Sequence, residues 1–230
     1  SQYDKRSFPF RYRCIMIDLH THSFFSDGEL IPSELVRRAV VKGYRAIAIT
    51  DHGDLSNIDL IVPRMAKVSA ELSRAWGIKV IPGVELTHVP PADIAGLAKE
   101  ARMLGARLVL CHGETIVEPV PPGTNSAALN SDIDILTHPG LITMEDAKLA
   151  ARKGIYLEIT ARKGHSLTNG HVAKTALAAG AKLLLNTDAH SPGDLKTKEE
   201  AEKIALGAGL RIDDFNKITR NAEELVERVG

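Results

Sequence analysis

The stretch DLHTHSFFSDGE, residues 18–29, places His20 and His22 two positions apart, directly after an apolar run, with Asp27 close behind. Side chains at i and i+2 of an extended segment lie on the same side. Two imidazoles at the end of a strand can therefore reach one point, which is what a bound metal ion requires. A single H-x-H arises easily by chance, so the weight falls on the other histidines.

Those histidines follow a pattern set by the elements that must carry them. Short apolar runs recur as CIMIDL (14–19), AIAIT (46–50), KVIPGVEL (79–86), RLVLC (107–111), IDILT (133–137), IYLEIT (155–160) and KLLLNT (182–187). Several are almost continuously apolar, as strands covered on both faces are. The segments 32–43, 57–76, 91–105, 143–153, 168–180 and 196–208 read as helices, and a last helix spans 213–228. PSELVRRAVVKG opens with Pro32 and ends at Gly43, and TMEDAKLAARKG runs from Thr143 to Gly154, both with recognisable helix ends. Strands alternating with helices predict a parallel α/β architecture.

Each run delivers an acid or a histidine at its carboxyl end. In order these are His20 and His22, Asp51 with His52, Glu85, His112, His138, Glu158, and Asp188 with His190. An open sheet would leave its outer strands too far apart to share a site. A closed barrel brings all the carboxyl ends to one face, where barrel enzymes keep their catalytic groups. If histidines merely occupied polar loops, their placement would be scattered, so the distribution favours the barrel.

His20, His22, Asp27, His52, Glu85, His112, His138, Asp188 and His190 form a donor set of imidazole and carboxylate without thiolate, suited to zinc, manganese or iron. The set exceeds what one tetrahedral ion uses and fits two or three divalent ions with open positions. Clustered ions of this kind suit hydrolysis of phosphate esters. Glu85, central in the chain, is the natural carboxylate to bridge two of them.

The segments DLHTHSFFSDG, ITDHGD, PGVEL, CHG, THPG and NTDAHS resemble, in order, the motifs of the PHP (polymerase and histidinol phosphatase) family, over about residues 17–195. The resemblance implies a distorted (β/α)7 TIM-like barrel, in agreement with the seven strands counted above, and a trinuclear centre at its top. By that resemblance, one metal takes His20, His22, Glu85 and Asp188. A second shares Glu85 and adds His112 and His138. The third uses His52, His190 and Asp27, a position where family members carry histidine or aspartate.

Around this set, Arg162, with Lys163 or His165, is expected to hold a substrate phosphate, since a guanidinium matches phosphate with a bidentate fork. Asp51, Glu114 and Glu158 are read as carboxylates that orient ligating imidazoles. A proton for the leaving group is sought near Asp188 or His165. His88 and His171 are read as ordinary polar residues, and Cys111 as packing. The stretch 114–130, with its three prolines, reads as a lid or a connecting loop.

Composition narrows the function. With 230 residues the chain suits one domain, expected as a barrel over 16–230 preceded by an arm or extension, residues 1–15. Lys plus Arg and Asp plus Glu each total 29, a zero formal charge that disfavours a nucleic-acid partner held by phosphate neutralisation. No apolar run is long enough to span a membrane, and the amino-terminal arm lacks the apolar core of a signal peptide. Cys14 and Cys111, far apart, point to a reduced, cytoplasmic protein rather than a disulfide framework.

The expectation is a metal-dependent phosphatase, histidinol-phosphatase-like, that hydrolyses a small phosphomonoester through a metal-activated water. The alternatives are a metal-dependent phosphodiesterase or 3′ exonuclease, and a non-catalytic RNA-binding subunit. Substrate identity and oligomeric state are left open by the residues.

Overall fold

The structure, a computed structural model, describes residues 16–230; the expected arm, residues 1–15 with Cys14, lies outside the described residues. Strands β1 (Met16–Asp18), β2 (Tyr44–Ile49), β4 (Lys79–Leu86), β5 (Leu108–His112), β6 (Ile135–Thr137), β7 (Tyr156–Thr160) and β8 (Leu183–Asn186) lie side by side in that order, all parallel. A two-residue strand, β3 (His52–Gly53), prolongs the line of β2. Ile49 pairs with Pro82 and His52 with Glu85, so the register is kept.

The sheet curls until its ends meet, and the seam is closed mainly by side chains. The Asp18 carboxylate accepts from the backbone N–H of Thr187 at 3.1 Å and from its hydroxyl. Leu19 N–H donates to Asn186 Oδ1 at 3.0 Å. At the rim, Thr21 bridges Ala189, and His22 N–H donates to the Ala189 carbonyl at 2.8 Å. The result is the expected single-domain distorted barrel, with a seam that lacks a full ladder.

Alternation along the strands sorts residues between two cores. Ile17, Leu19, Ala46, Ala48, Ile81, Leu108, Leu110, Ile135, Tyr156 and Leu184 fill the interior. Neighbours of opposite parity, such as Ile47, Ile49, Val109, Leu136, Leu157 and Leu183, pack outward under the helices. The same inward parity leads from apolar to polar along each strand: Ile81 to Glu85, Leu108 and Leu110 to His112, Tyr156 to Glu158. Leu225, Val226 and Val229 join the interior cluster, so the last helix packs against the apolar end, opposite the histidines.

Helices α1 (Pro32–Val41), α2 (Ile58–Trp76), α3 (Ile94–Leu104), α5 (Met144–Lys153), α6 (Asn169–Ala179), α7 (Lys198–Gly207) and α8 (Ile212–Val229) match the seven expected helical segments, with ends shifted by a few residues. The Thr143 hydroxyl caps α5 by accepting from Asp146 N–H at 3.0 Å, and Gly154 ends it with φ 69°. The stretch expected as a lid or loop holds a short helix, α4 (Thr124–Leu129), after an irregular segment. No described helix is long and apolar enough to cross a membrane.

Candidate metal centre

All nine expected donor residues gather at the carboxyl ends of the strands. Next to β1, His22 Nε2 lies 3.0 Å from His20 Nε2, 3.1 Å from Asp188 Oδ1 and 3.5 Å from Glu85 Oε2. His20 Nε2 lies 3.2 Å from the same Glu85 oxygen and 3.6 Å from Asp188 Oδ1. A tetrahedral ion with ligand bonds of about 2.1 Å has donor–donor edges of about 3.4 Å. Five of the six edges among these four donors thus lie near the spacing that one such ion needs.

A second group joins through the other oxygens. His138 Nε2 is 3.5 Å from Glu85 Oε1 and 3.8 Å from Asp188 Oδ2, so both carboxylates face two clusters. The ring nitrogens of His112, His138 and His165 lie within 4.8 Å of one another. The third group is Asp27, His52 and His190, with His22 beside it. Asp27 Oδ1 is 3.1 Å from His190 Nε2 and 3.4 Å from His52 Nε2. Each of these groups could hold a metal ion. Buried His22 Nδ1, His138 Nδ1 and Glu85 Oε2 find no hydrogen-bond partner among the described residues, and an unpaired buried polar atom costs about 1–3 kcal/mol. A cation meeting Glu85 would offset part of that cost.

The supporting contacts divide among the expected orienting acids. Glu158 acts as expected: its Oε2 accepts from Asn186 Nδ2 at 2.9 Å and from His20 Nδ1 at 2.8 Å, which turns Nε2 of that ring toward the cluster. Asp51 and Glu114 differ from expectation, because their carboxylates bond to loops instead of imidazoles. Asp51 accepts from Ser23 N–H (2.7 Å), Ser23 Oγ (2.6 Å) and Ser26 Oγ (2.7 Å), fixing the turn that presents Asp27. Glu114 accepts from Asn125 N–H at 2.9 Å in the first turn of α4. The turn after Ser23 closes on Gly28, where any Cβ would meet the His22 carbonyl at 2.4 Å. Asp188 and His138 hold left-handed backbones, φ 52° and 24°, the local strain that functional sites retain.

Electrostatics follows from packing carboxylates against imidazoles out of water. Burial disfavours a charged His20, yet Glu85, Glu158 and Asp188 outweigh it and raise the ring well above its ordinary value. Burial likewise opposes ionised Glu85 and Asp188, and the neighbouring histidines overcome it, holding both carboxylates well below their usual range. His22 goes the other way: burial and the charge of His52 push it down to about 3. His165, lowered by burial and by His138, falls to about 4. The centre thus offers ionised Glu85 and Asp188 beside neutral His22 and His165, the states that ligate cations, while the proton that His20 holds against the carboxylates is the one a bound cation would displace.

Two residues at this rim escape sequence reasoning. Glu118, in the irregular segment before α4, sits 3.0 Å from His88, 3.1 Å from His112 and 3.3 Å from His165. Its neighbours in sequence carry no period that would flag it. His88, read as ordinary, stands at the mouth because β4 runs on to Leu86 before the chain turns. His171 is ordinary as expected, bonded to the Ile142 carbonyl at 2.8 Å, and Cys111 is buried packing with its thiol pushed up by burial. Arg162 lines the pocket above the donors, a space of about 390 Å³, and lies 3.4 Å from Asp194. His165 lines it too, whereas Lys163 is exposed and does not.

A parallel barrel whose strand ends converge on clustered histidines and carboxylates is an architecture that could hold metal ions at one face. The PHP domain matches residues 18–114. An uncharacterised protein of Methanocaldococcus jannaschii is 50% identical over 215 residues, 92% of this chain and 99% of that one. A probable phosphatase of Thermoanaerobacter sp. (strain X514) is 27% identical, covering 94% and 98%.

Two solved structures share the fold. One is an archaeal ribonuclease P with mature tRNA, with a chain at TM-score 0.69, 17% identity and coverage of 91% and 90%. The other is histidinol phosphate phosphatase from Lactococcus lactis with zinc, L-histidinol and phosphate, at TM-score 0.58, 18% identity and coverage of 85% and 94%. The chain belongs to the PHP family, a family of metal-dependent phosphoesterases.

Proposed function

We propose that this protein is a metal-dependent phosphomonoesterase acting on a small phosphorylated substrate. Its cations are held by His20, His22, Glu85 and Asp188, by Glu85 with His112 and His138, and by Asp27, His52 and His190. The observation that carries this reading is the four-donor cluster around His22, with Glu85 and Asp188 each turned toward a second group. Cations bound there would supply a water of lowered pKa and neutralise phosphoryl oxygens.

The chain's own residues do the rest. Arg162 holds the phosphate with its guanidinium fork, and Asp194 keeps that side chain at the rim. Asp194 also accepts from the backbone N–H of His190 at 3.0 Å, so phosphate recognition and the third donor group share one support. His165, neutral and anchored on Thr115 Oγ1 at 2.7 Å, presents its Nε2 toward Glu118 and the pocket. Asp188 is held ionised, which makes it a ligand and removes it as a proton donor. A pocket of about 390 Å³, lined by a single guanidinium among the described residues, suits a compact monoester better than a polynucleotide track.

The test is a panel of metabolite phosphomonoesters assayed beside single-stranded DNA, with metal content measured on the same sample. Hydrolysis of monoesters with two or three bound ions is expected, and Arg162→Ala is expected to raise KM. Degradation of DNA without monoester turnover would replace this reading with the nuclease one. Full-length protein that binds no transition metal would overturn both.

A further inference from the structure

A second cavity, a groove of about 820 Å³, opens beside the metal pocket, and Asp54 and His88 line both. Its walls are Leu55 from the segment before α2, Val89 and Pro90 after β4, and one face of α3. That face is written in the sequence at helical spacing: Asp93, Gly96, Glu100 and Met103 recur every three or four residues. Leu55 and Met103 are 78% and 81% exposed, large apolar side chains held in water along the groove.

Gly96 sharpens the point. Glycine inside a helix destabilises it relative to alanine, so packing or backbone need normally explains one. Here a Cβ would meet nothing within 4 Å, and φ is not positive. Neither explanation applies; what the missing side chain preserves is open space in the groove. The charge of the lining is one-sided: Asp54, Asp93 and Glu100 line it, and among the described residues no lysine or arginine does.

We infer that this groove seats the leaving group of the phosphoester, and that the substrate's leaving group is apolar and carries no second negative charge. The inference rests on the phosphomonoesterase reading above. With phosphate over the metal donors, the ester's organic part passes His88 and lies against Leu55, Pro90 and the Gly96 face. The three acids would repel a further phosphate or carboxylate there.

Calorimetry on the metal-loaded protein with non-hydrolysable phosphonates tests it, since binding is read without turnover. 1-Naphthylmethylphosphonate should bind about tenfold more tightly than methylphosphonate, and 4-carboxybenzylphosphonate more weakly than 4-methylbenzylphosphonate. Gly96→Phe, which fills the groove, should bring the naphthyl-to-methyl ratio close to one. Leu55→Ser, on a different element, should lower it several-fold, and melting temperatures verify that both variants fold. Equal affinity of the wild type for the naphthyl and methyl ligands, in a protein that does hydrolyse phosphomonoesters, overturns the subsite and leaves the activity standing. A ratio untouched by both variants also overturns it. Absence of any phosphonate binding, together with absence of turnover, removes the underlying reading as well.

Discussion

Nδ1 of His20 lies 2.8 Å from Oε2 of Glu158, although the two residues are 138 positions apart and leave different strands. Both are fully buried. The carboxylate can only accept, so the ring's other nitrogen is committed to the cluster. Glu158→Gln should therefore weaken metal binding by about 10–100-fold, the range found for partners of ligating histidines, with little change in fold. Metal content after dialysis against graded chelator reads this, and full retention would remove Glu158 from the orienting role.

Asp51 supports a different part of the site. Its carboxylate accepts three bonds from Ser23 and Ser26 and so holds the turn bearing Asp27. Asp51→Ala should loosen that turn and selectively empty the group of Asp27, His52 and His190. The expected readout is one fewer ion per chain, with the other ions kept. Unchanged stoichiometry would show that the turn holds itself.

The left-handed backbone of Asp188 separates charge from strain. Asparagine tolerates this conformation and leucine does not. Asp188→Asn and Asp188→Leu should both abolish metal-dependent activity, because each removes the carboxylate. In chelator, Asp188→Leu should be less stable than Asp188→Asn by about 1–3 kcal/mol, the usual cost of such strain. Equal stability in urea titrations would mean that the backbone relaxes freely.

Just beyond the loop that carries Asp188, His190 and Asp194, α7 begins with a capping box. Thr197 Oγ1 accepts from Glu200 N–H at 3.2 Å, and Glu200 Oε2 accepts from Thr197 N–H at 2.7 Å. Thr197→Ala should cost about 1 kcal/mol. The backbone bond from Thr197 lowers the Glu200 carboxyl below its ordinary 4.5. A carboxyl depressed in the folded state stabilises above its unfolded value and ceases to do so as pH falls through the folded one. The destabilisation by Glu200→Ala should thus be present at pH 7 and fade below about 4.5. A penalty that grows on acidification would contradict the assignment.

Much of this was legible in the chain itself. Seven apolar runs, helices with recognisable ends, and a histidine or acid after every run specify the barrel and its donors, because strand alternation and helix capping are local rules. His20, His22, Glu85, His112, His138, Asp188 and His190 gather where their positions along the strands said they would.

The three-dimensional packing decided what no local rule carries. Glu118 and His88 reach the mouth through irregular segments whose course depends on neighbours distant in sequence. Asp51 turned out to hold a loop instead of a ring, since its orientation is set by the Ser23 turn it meets. The space beside Gly96 exists only because α3, the Leu55 segment and Pro90 converge. Periodicity locates a residue on its own element; only the assembled barrel determines what that residue touches.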